Sequence, residues 1–201
     1  MKTAVGATAA AITALQYVPY LRDLHRGPVK PHLFTWVVWA LAAGIIAAGQ
    51  WHSGGGWGAL LMATECVFCI AIVAFTLRRA EHDIVRSDWI ALAVSGLAAG
   101  VWMITDRPTV SLALATATEA IAFVPTVRKS WNAPFSEPVL VYSMSTFAVF
   151  LSLFAMADYN FETVFNPVVW IVGQGAFVAM LVVRRSRSAL VPREAQSVAA
   201  A

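Results

Sequence analysis

Charge is scarce in this 201-residue chain: only 12% of its residues are Asp, Glu, Lys or Arg, against about 25% in an ordinary soluble domain. With 59% hydrophobic residues and a mean hydropathy of +0.69, the composition excludes a water-soluble globule. The bilayer is the natural solvent for most of the chain. Cysteine is nearly absent as well. Cys66 and Cys69 form a CxxC inside an apolar stretch, away from the aqueous reductants that act on redox pairs, and read as buried thiols. His25, His32, His52 and His82 show no grouping that would complete a zinc site, so no metal and no cofactor is expected.

What the chain does have is a series of apolar runs. Hydropathy and the Gly, Pro and charge interruptions predict helices over roughly 3–21, 32–49, 57–77, 88–104, 109–128, 138–157 and 163–183. Short connections separate them, including Gln50 to Gly56 with its triple glycine and Asp106-Arg107-Pro108. The expectation is an all-α integral membrane protein of seven transmembrane helices. Starting outside, such a chain places all of its Lys and Arg residues except Lys2 and Arg107 on the cytoplasmic side: Arg22, Arg26, Lys30, Arg78, Arg79, Arg86, Arg128, Lys129, Arg184, Arg185, Arg187 and Arg193. Six or eight helices would scatter them, so the positive-inside rule supports seven, with the amino terminus outside, the carboxyl terminus in the cytoplasm and the cell (inner) membrane as the location. The pI near 9.1 then reflects topology, and no nucleic-acid partner is expected. Arg184 to Arg187 read as an anchor to anionic lipid. Lys2 before an alanine-rich stretch resembles a signal peptide superficially, but the small residues Gly6, Ala7, Ala10 and Ala14 suit close helix packing.

Sliding the chain against itself by 106 residues aligns Val18-Pro19 with Val124-Pro125, Arg22 with Arg128, Pro28 with Pro134, Trp36 with Tyr142, and Arg78-Arg79 with Arg184-Arg185. The repeat is three helices long, which leaves one helix over. Three crossings reverse the chain, so a linker helix is needed to present both triplets in the same orientation, as in parallel-repeat transporters. The predicted organisation is a first repeat over roughly 1–80, a linker helix over 81–106, a second repeat over 107–186 and a cytoplasmic tail over 187–201.

The segments Tyr17-Val18-Pro19-Tyr20-Leu21-Arg22 and Phe123-Val124-Pro125-Thr126-Val127-Arg128-Lys129-Ser130 resemble the PQ-loop and SWEET (MtN3-type) superfamily. Its members have a 3+1+3 layout and a proline near the cytoplasmic end of the first helix of each triplet. Tyr20 and Thr126 stand where the family motif has glutamine. The stretches Pro31 to Trp36 and Arg128 to Trp131 look most like bacterial members of this general type.

Several residues are candidates for function. Pro19 and Pro125 should kink or end their helices and so offer one hinge per triplet, or merely terminate them before the basic loops. Glu65 and Glu119 fall near the middle of the bilayer, where a charged side chain costs about 2.5–3.5 kcal/mol, and such residues usually face a polar interior. One reading is proton exchange during a transport cycle; the other is a neutral acid bonded to a neighbouring helix. Asn166-Pro167 should interrupt the last helix and expose backbone carbonyls to a cavity, with Gln174 and Gln16 nearby. The resemblance adds weight to Asn166, because SWEET proteins place an asparagine in the third helix of a triplet at the sugar site. Trp36 and Tyr142, on equivalent helices, are candidates to clamp a flat or sugar-like solute, with ordinary packing as the rival reading. Trp39 is a weaker candidate. Trp51, Trp57, Trp89 and Trp131 suit interfacial anchoring.

Taken together, the substrate-binding candidates are Trp36, Glu65, Glu119, Tyr142, Asn166 and Gln174. The leading expectation is a transporter of a small polar solute, such as a sugar, amino acid or nucleoside, working by alternating access. Self-association into a homo-oligomer is left open. The first rival is a non-transporting receptor or scaffold, since KDEL-type receptors share the resemblance's layout. A membrane enzyme finds no nucleophile and base at recognisable spacing. An opsin would need a lysine that the last helix lacks.

Overall fold

The computed structural model describes residues 1–26, 33–77, 86–105 and 108–189. Of the positions singled out above, Pro28, Lys30, Pro31, His32, Arg78, Arg79, His82, Asp106, Arg107 and Arg193 lie outside the described residues. So do the side chains of Arg86 and Pro125 and the chain around the boundaries at 80–81 and 106–107.

Among the described residues the regular structure is entirely helical: α1 (Lys2–Arg26), α2 (Leu33–His52), a 3-10 turn (Gly56–Ala59) leading into α3 (Leu60–Thr76), α4 (Arg86–Thr105), α5 (Pro108–Asn132), α6 (Val139–Ala155) and α7 (Phe161–Ala189). Four stretches are long and apolar enough to cross a membrane: Lys2–Arg26, Gly56–Thr76, Pro108–Asn132 and Phe161–Arg187; Val139–Ala155 is apolar but shorter. Described helices of this length and apolarity fit a membrane, where only internally bonded backbone survives in hydrocarbon.

Two expectations about proline are corrected. Pro19 does not end its helix; α1 continues to Arg26, and the backbone of α5 is helical through position 125 to Asn132. A proline removes one intrahelical bond, and the turns on either side are enough to carry the helix on. Nor does Asn166-Pro167 interrupt α7, which runs unbroken with Pro167 inside it. Its start is instead set by Asn160: the Asn160 side-chain oxygen accepts from the Thr163 N–H at 3.1 Å, and the Thr163 hydroxyl accepts from the Asn160 N–H at 3.0 Å. This reciprocal box satisfies donors that a helix start leaves free. The far end of α7 reaches Ala189, so a tail beginning at 187 still lies in helix.

Lys2 and Pro108, which open α1 and α5, stand 106 positions apart, as do Leu33 and Val139, which open α2 and α6. Contacts follow the same correspondence. In the first group α3 packs against both α1 and α2, and in the second α7 packs against both α5 and α6; between groups α1 meets α6 and α2 meets α5, and α3 meets α6 as α7 meets α2. Exchanging α1 with α5, α2 with α6 and α3 with α7 leaves this set of pairs unchanged. α4 stands apart, packed on α2 and α5.

The two ends of the bundle differ. At the glycine end, Gly55 and Gly54 accept backbone bonds from Ala157 (3.1 Å) and Asp158 (3.0 Å), and Asn160 donates its amide to the Ser53 carbonyl at 2.7 Å. Gly54 has φ +83, a left-handed conformation that favours glycine, and a Cβ there would collide with the Asp158 carboxylate. Gly6 lets α1 approach so closely that a Cβ would meet the Trp57 carbonyl. The main apolar core lies in this half: Ala9, Ala42, Ile46, Leu61, Leu112 and Ala148 draw in helices of both groups. In the basic half the second core cluster, built on Leu24, Trp36, Cys69 and Ile72, draws its described residues from α1, α2 and α3.

At the basic end Arg185 donates to the carbonyls of Pro134 (2.8 Å) and Glu137 (2.5 Å), and Arg184 to that of Trp131 (2.7 Å). Both guanidinium groups also lie over aromatic rings, Arg184 over Trp131 and Arg185 over Phe135. These two arginines therefore brace the connection between α5 and α6 in addition to whatever they offer to lipid; Arg187 is exposed.

Candidate functional site

Each three-helix group contains one carboxyl at the interface of its first and third helices, bonded to an aromatic donor. In the first group Tyr17 of α1 donates its hydroxyl to Glu65 Oε1 of α3. In the second, Trp170 of α7 donates its indole N–H to Glu119 Oε2 of α5 at 2.9 Å. The carboxyl changes helix between groups, yet both sit near mid-helix, and the two are close enough to act on each other electrostatically.

Glu119 is the more enclosed. It is 7% exposed, and its Oε2 also accepts from the Asn166 amide at 3.1 Å, while the same amide nitrogen reaches the Thr116 hydroxyl at 3.2 Å. Helical spacing explains the assembly: Asn166 and Trp170 are four residues apart on α7, and Thr116 and Glu119 three apart on α5, so each pair shares a face. A buried carboxyl without such donors would carry a large desolvation cost. Asn166 is 1% exposed, and its amide points into the α5–α7 interface toward Glu119 and Thr116, neither capping the helix nor meeting an interruption in it.

The aromatic candidates pack within their own groups. Trp36 lies against Tyr17, Tyr20 and Trp39, with ring centroids 6.4, 5.0 and 5.2 Å away. Tyr142 lies against Phe123 at 5.9 Å and Phe177 at 4.8 Å. Trp36 and Tyr142 thus belong to two aromatic clusters, each joining the first helix of a group to the second. The Tyr142 hydroxyl donates to Glu137 Oε2 at 3.2 Å, and Glu137 in turn pairs with Lys129 at 2.9 Å. Tyr17 is shared between site and cluster: it binds Glu65 and stacks on Phe68 at 4.9 Å.

Gln174 and Gln16 each bury a side-chain oxygen that has no hydrogen-bond partner among the described residues. Cys69 is buried in the core cluster with Leu24, Trp36 and Ile72, and the half-buried Cys66 donates its thiol to the Ala40 carbonyl of α2 at 3.4 Å. A groove of about 310 Å³ between α6 and α7, lined by Ser143, Thr146, Phe147, Phe150, Ile171 and Gly175 among others, contains none of the candidate residues.

Tyr17, Thr116 and Trp170 were not among the candidates read from the sequence. Signals point to two of them: Trp170 falls one helical turn after Asn166, and Tyr17 matches aromatic Phe123 at the offset of 106; nothing in the sequence marks Thr116. Among the described residues the fold is thus all-helical, with apolar helices of membrane-spanning length, and Glu65 and Glu119 each accept a hydrogen bond from an aromatic side chain. Comparison finds no family model, no characterised protein and no solved structure that matches the chain.

Proposed function

We propose that the protein is a transporter of a small polar solute that works by alternating access between two three-helix units, each crossing the membrane three times, with α4 as the seventh, linking span. The amino terminus lies outside, the basic end faces the cytoplasm, and the cell membrane is the site of action. The likeness to PQ-loop and SWEET proteins noted above points the same way.

The observation that carries this reading is the unequal joining of the two units. At the glycine end they share an apolar core and are tied by the pairing of residues 53–55 with 157–160, whereas among the described residues of the basic half the core cluster and the aromatic cluster each stay within one unit. Two like bodies fastened at one end are suited to rocking, closed to the outside and separable toward the cytoplasm. Glu119 is the candidate for proton coupling. The buried oxygens of Gln16 and Gln174 are acceptors for hydroxyl or amine donors of a solute.

The test is a cross-link. In a background lacking Cys66 and Cys69, cysteines at Ser53 and Asn160 joined by a short bifunctional reagent should stop uptake of sugars, amino acids or nucleosides into proteoliposomes, and reductive release should restore it. Undiminished uptake in the cross-linked protein would rule out opening at this end. Absence of flux for every solute class would favour the receptor alternative.

A further inference from the structure

Trp170 carries a role that follows from the chemistry of its one polar group. An indole N–H donates and never accepts, a primary amide nitrogen likewise only donates, and a hydroxyl such as that of Thr116 does either. Glu119 Oε2 receives both obligate donors, Trp170 Nε1 and Asn166 Nδ2. An asparagine amide has an acceptor oxygen to offer if it turns over; an indole has none. Trp170 is therefore the partner that disfavours a proton on Oε2, since the carbonyl oxygen of a protonated carboxyl accepts an N–H better than its hydroxyl oxygen does.

We propose that Trp170 is a positioning residue for the Glu119 carboxyl: it holds Oε2 as a standing acceptor, so that a proton exchanged by this carboxyl is carried on Oε1. The proton clause rests on Glu119 being the coupling group; the positioning of the carboxyl does not. In the protonated state the Oε2–carbon bond is the carbonyl and keeps both N–H bonds. In the ionised state the same bonds hold the carboxylate. Loading and release of the proton then require no rearrangement of α7 and take place at one atom on the other side of the group.

The surroundings leave this assignment intact. Among the described residues the titratable groups near Glu119 are Glu65 and Cys69, both of α3, while Arg128 and Lys129 of its own helix α5 lie toward the basic end. On α7 the charged residues stand toward its ends, Glu162 accepting from the Thr109 hydroxyl and Arg184 and Arg185 bonded to the connection between α5 and α6. α2 contributes only His52, at the glycine end, and the side chains of Arg86 and Asp88 on α4 lie outside the described ones.

Infrared difference spectroscopy of the full-length protein in lipid nanodiscs, between acid and alkaline pH, tests the inference. The carbonyl stretch of protonated Glu119 is the band missing from Glu119→Gln. In Trp170→Phe, which keeps an aromatic ring against Phe123 (5.5 Å from Trp170 in the native protein) and removes the donor, that band should move to higher wavenumber. An unchanged band overturns the inference. If wild type shows no protonated Glu119 at any pH, the coupling role fails and the inference is read in the carboxylate stretches instead, which must shift in Trp170→Phe for the positioning to stand. Should Trp170→Phe not fold, Glu119→Gln in protein labelled with 15N-tryptophan reads the bond from the other side. One of the eight indole N–H resonances should move upfield, because an amide accepts more weakly than a carboxylate, and an unmoved set overturns the assignment.

Discussion

Glu119 shows what helical spacing does and does not reveal. A carboxyl ten or so residues into an apolar span is conspicuous in the sequence because burial there is expensive; its partners are not, since they come from a helix some fifty positions away. Under the transport reading, Glu119→Gln keeps size and hydrogen bonding and removes ionisation. Solute exchange across proteoliposomes should survive while accumulation driven by a pH gradient disappears, and a Glu119→Gln protein that still concentrates solute would transfer the coupling role to Glu65. Gly54 makes a separate prediction at the same scale. Its φ of +83 and its contact with Asp158 leave no room for a methyl group, so Gly54→Ala should destabilise the protein by about 1–3 kcal/mol, read as a lowered unfolding midpoint in detergent. A Gly96→Ala control, where a Cβ meets nothing, should cost no more than a few tenths of that, since alanine is the better helix former.

Among the elements, α7 departs most from its sequence reading. The residue before a proline avoids helical backbone as a rule, and Asn166-Pro167 was expected to break the span. Instead Pro167 lies in the second turn, close to the four orphan N–H groups of a helix start, and the capping box at Asn160 has already fixed that start. Asn160→Ala should lose about 1 kcal/mol from the cap together with the tie to Ser53. Hydrogen exchange should therefore rise both in the first turn of α7 and in residues 53–56, two segments that share no covalent neighbourhood. A rise confined to α7 would mean that the Ser53 bond contributes nothing. Arg185 makes the matching case at the basic end: Arg185→Gln should speed exchange at residues 133–138 and leave the glycine end unchanged.

The arrangement of the whole molecule combines a legible part with an illegible one. The offset of 106 residues is a sequence reading, through Pro19 and Pro125 and through Trp36 and Tyr142; which helices become neighbours is a property of the fold. Orientation across the membrane is the expectation that can be checked most directly. A cysteine placed at Trp51, exposed at the glycine end, should react with an impermeant thiol reagent added outside intact cells, while one at Arg26 should react only after permeabilisation; labelling of Arg26→Cys from outside would reverse the proposed topology.

Apolar runs, turn residues and an internal offset are local or periodic properties, so the sequence by itself determined that the chain is helical, where most helices lie, that it belongs in a membrane and which carboxyls are costly. It marked Asn166 and Tyr142 as polar or aromatic residues in unusual places, but not what they face. Tertiary structure decided that Asn166 serves Glu119, that Trp36 and Tyr142 join separate clusters, and that Arg184 and Arg185 brace a loop. It also decided that the two halves meet through an apolar core at the glycine end. Each of these depends on which helices become neighbours and on their rotation about their axes. A helical period restricts which residues share a face, but the face opposite is chosen only when the other helices arrive.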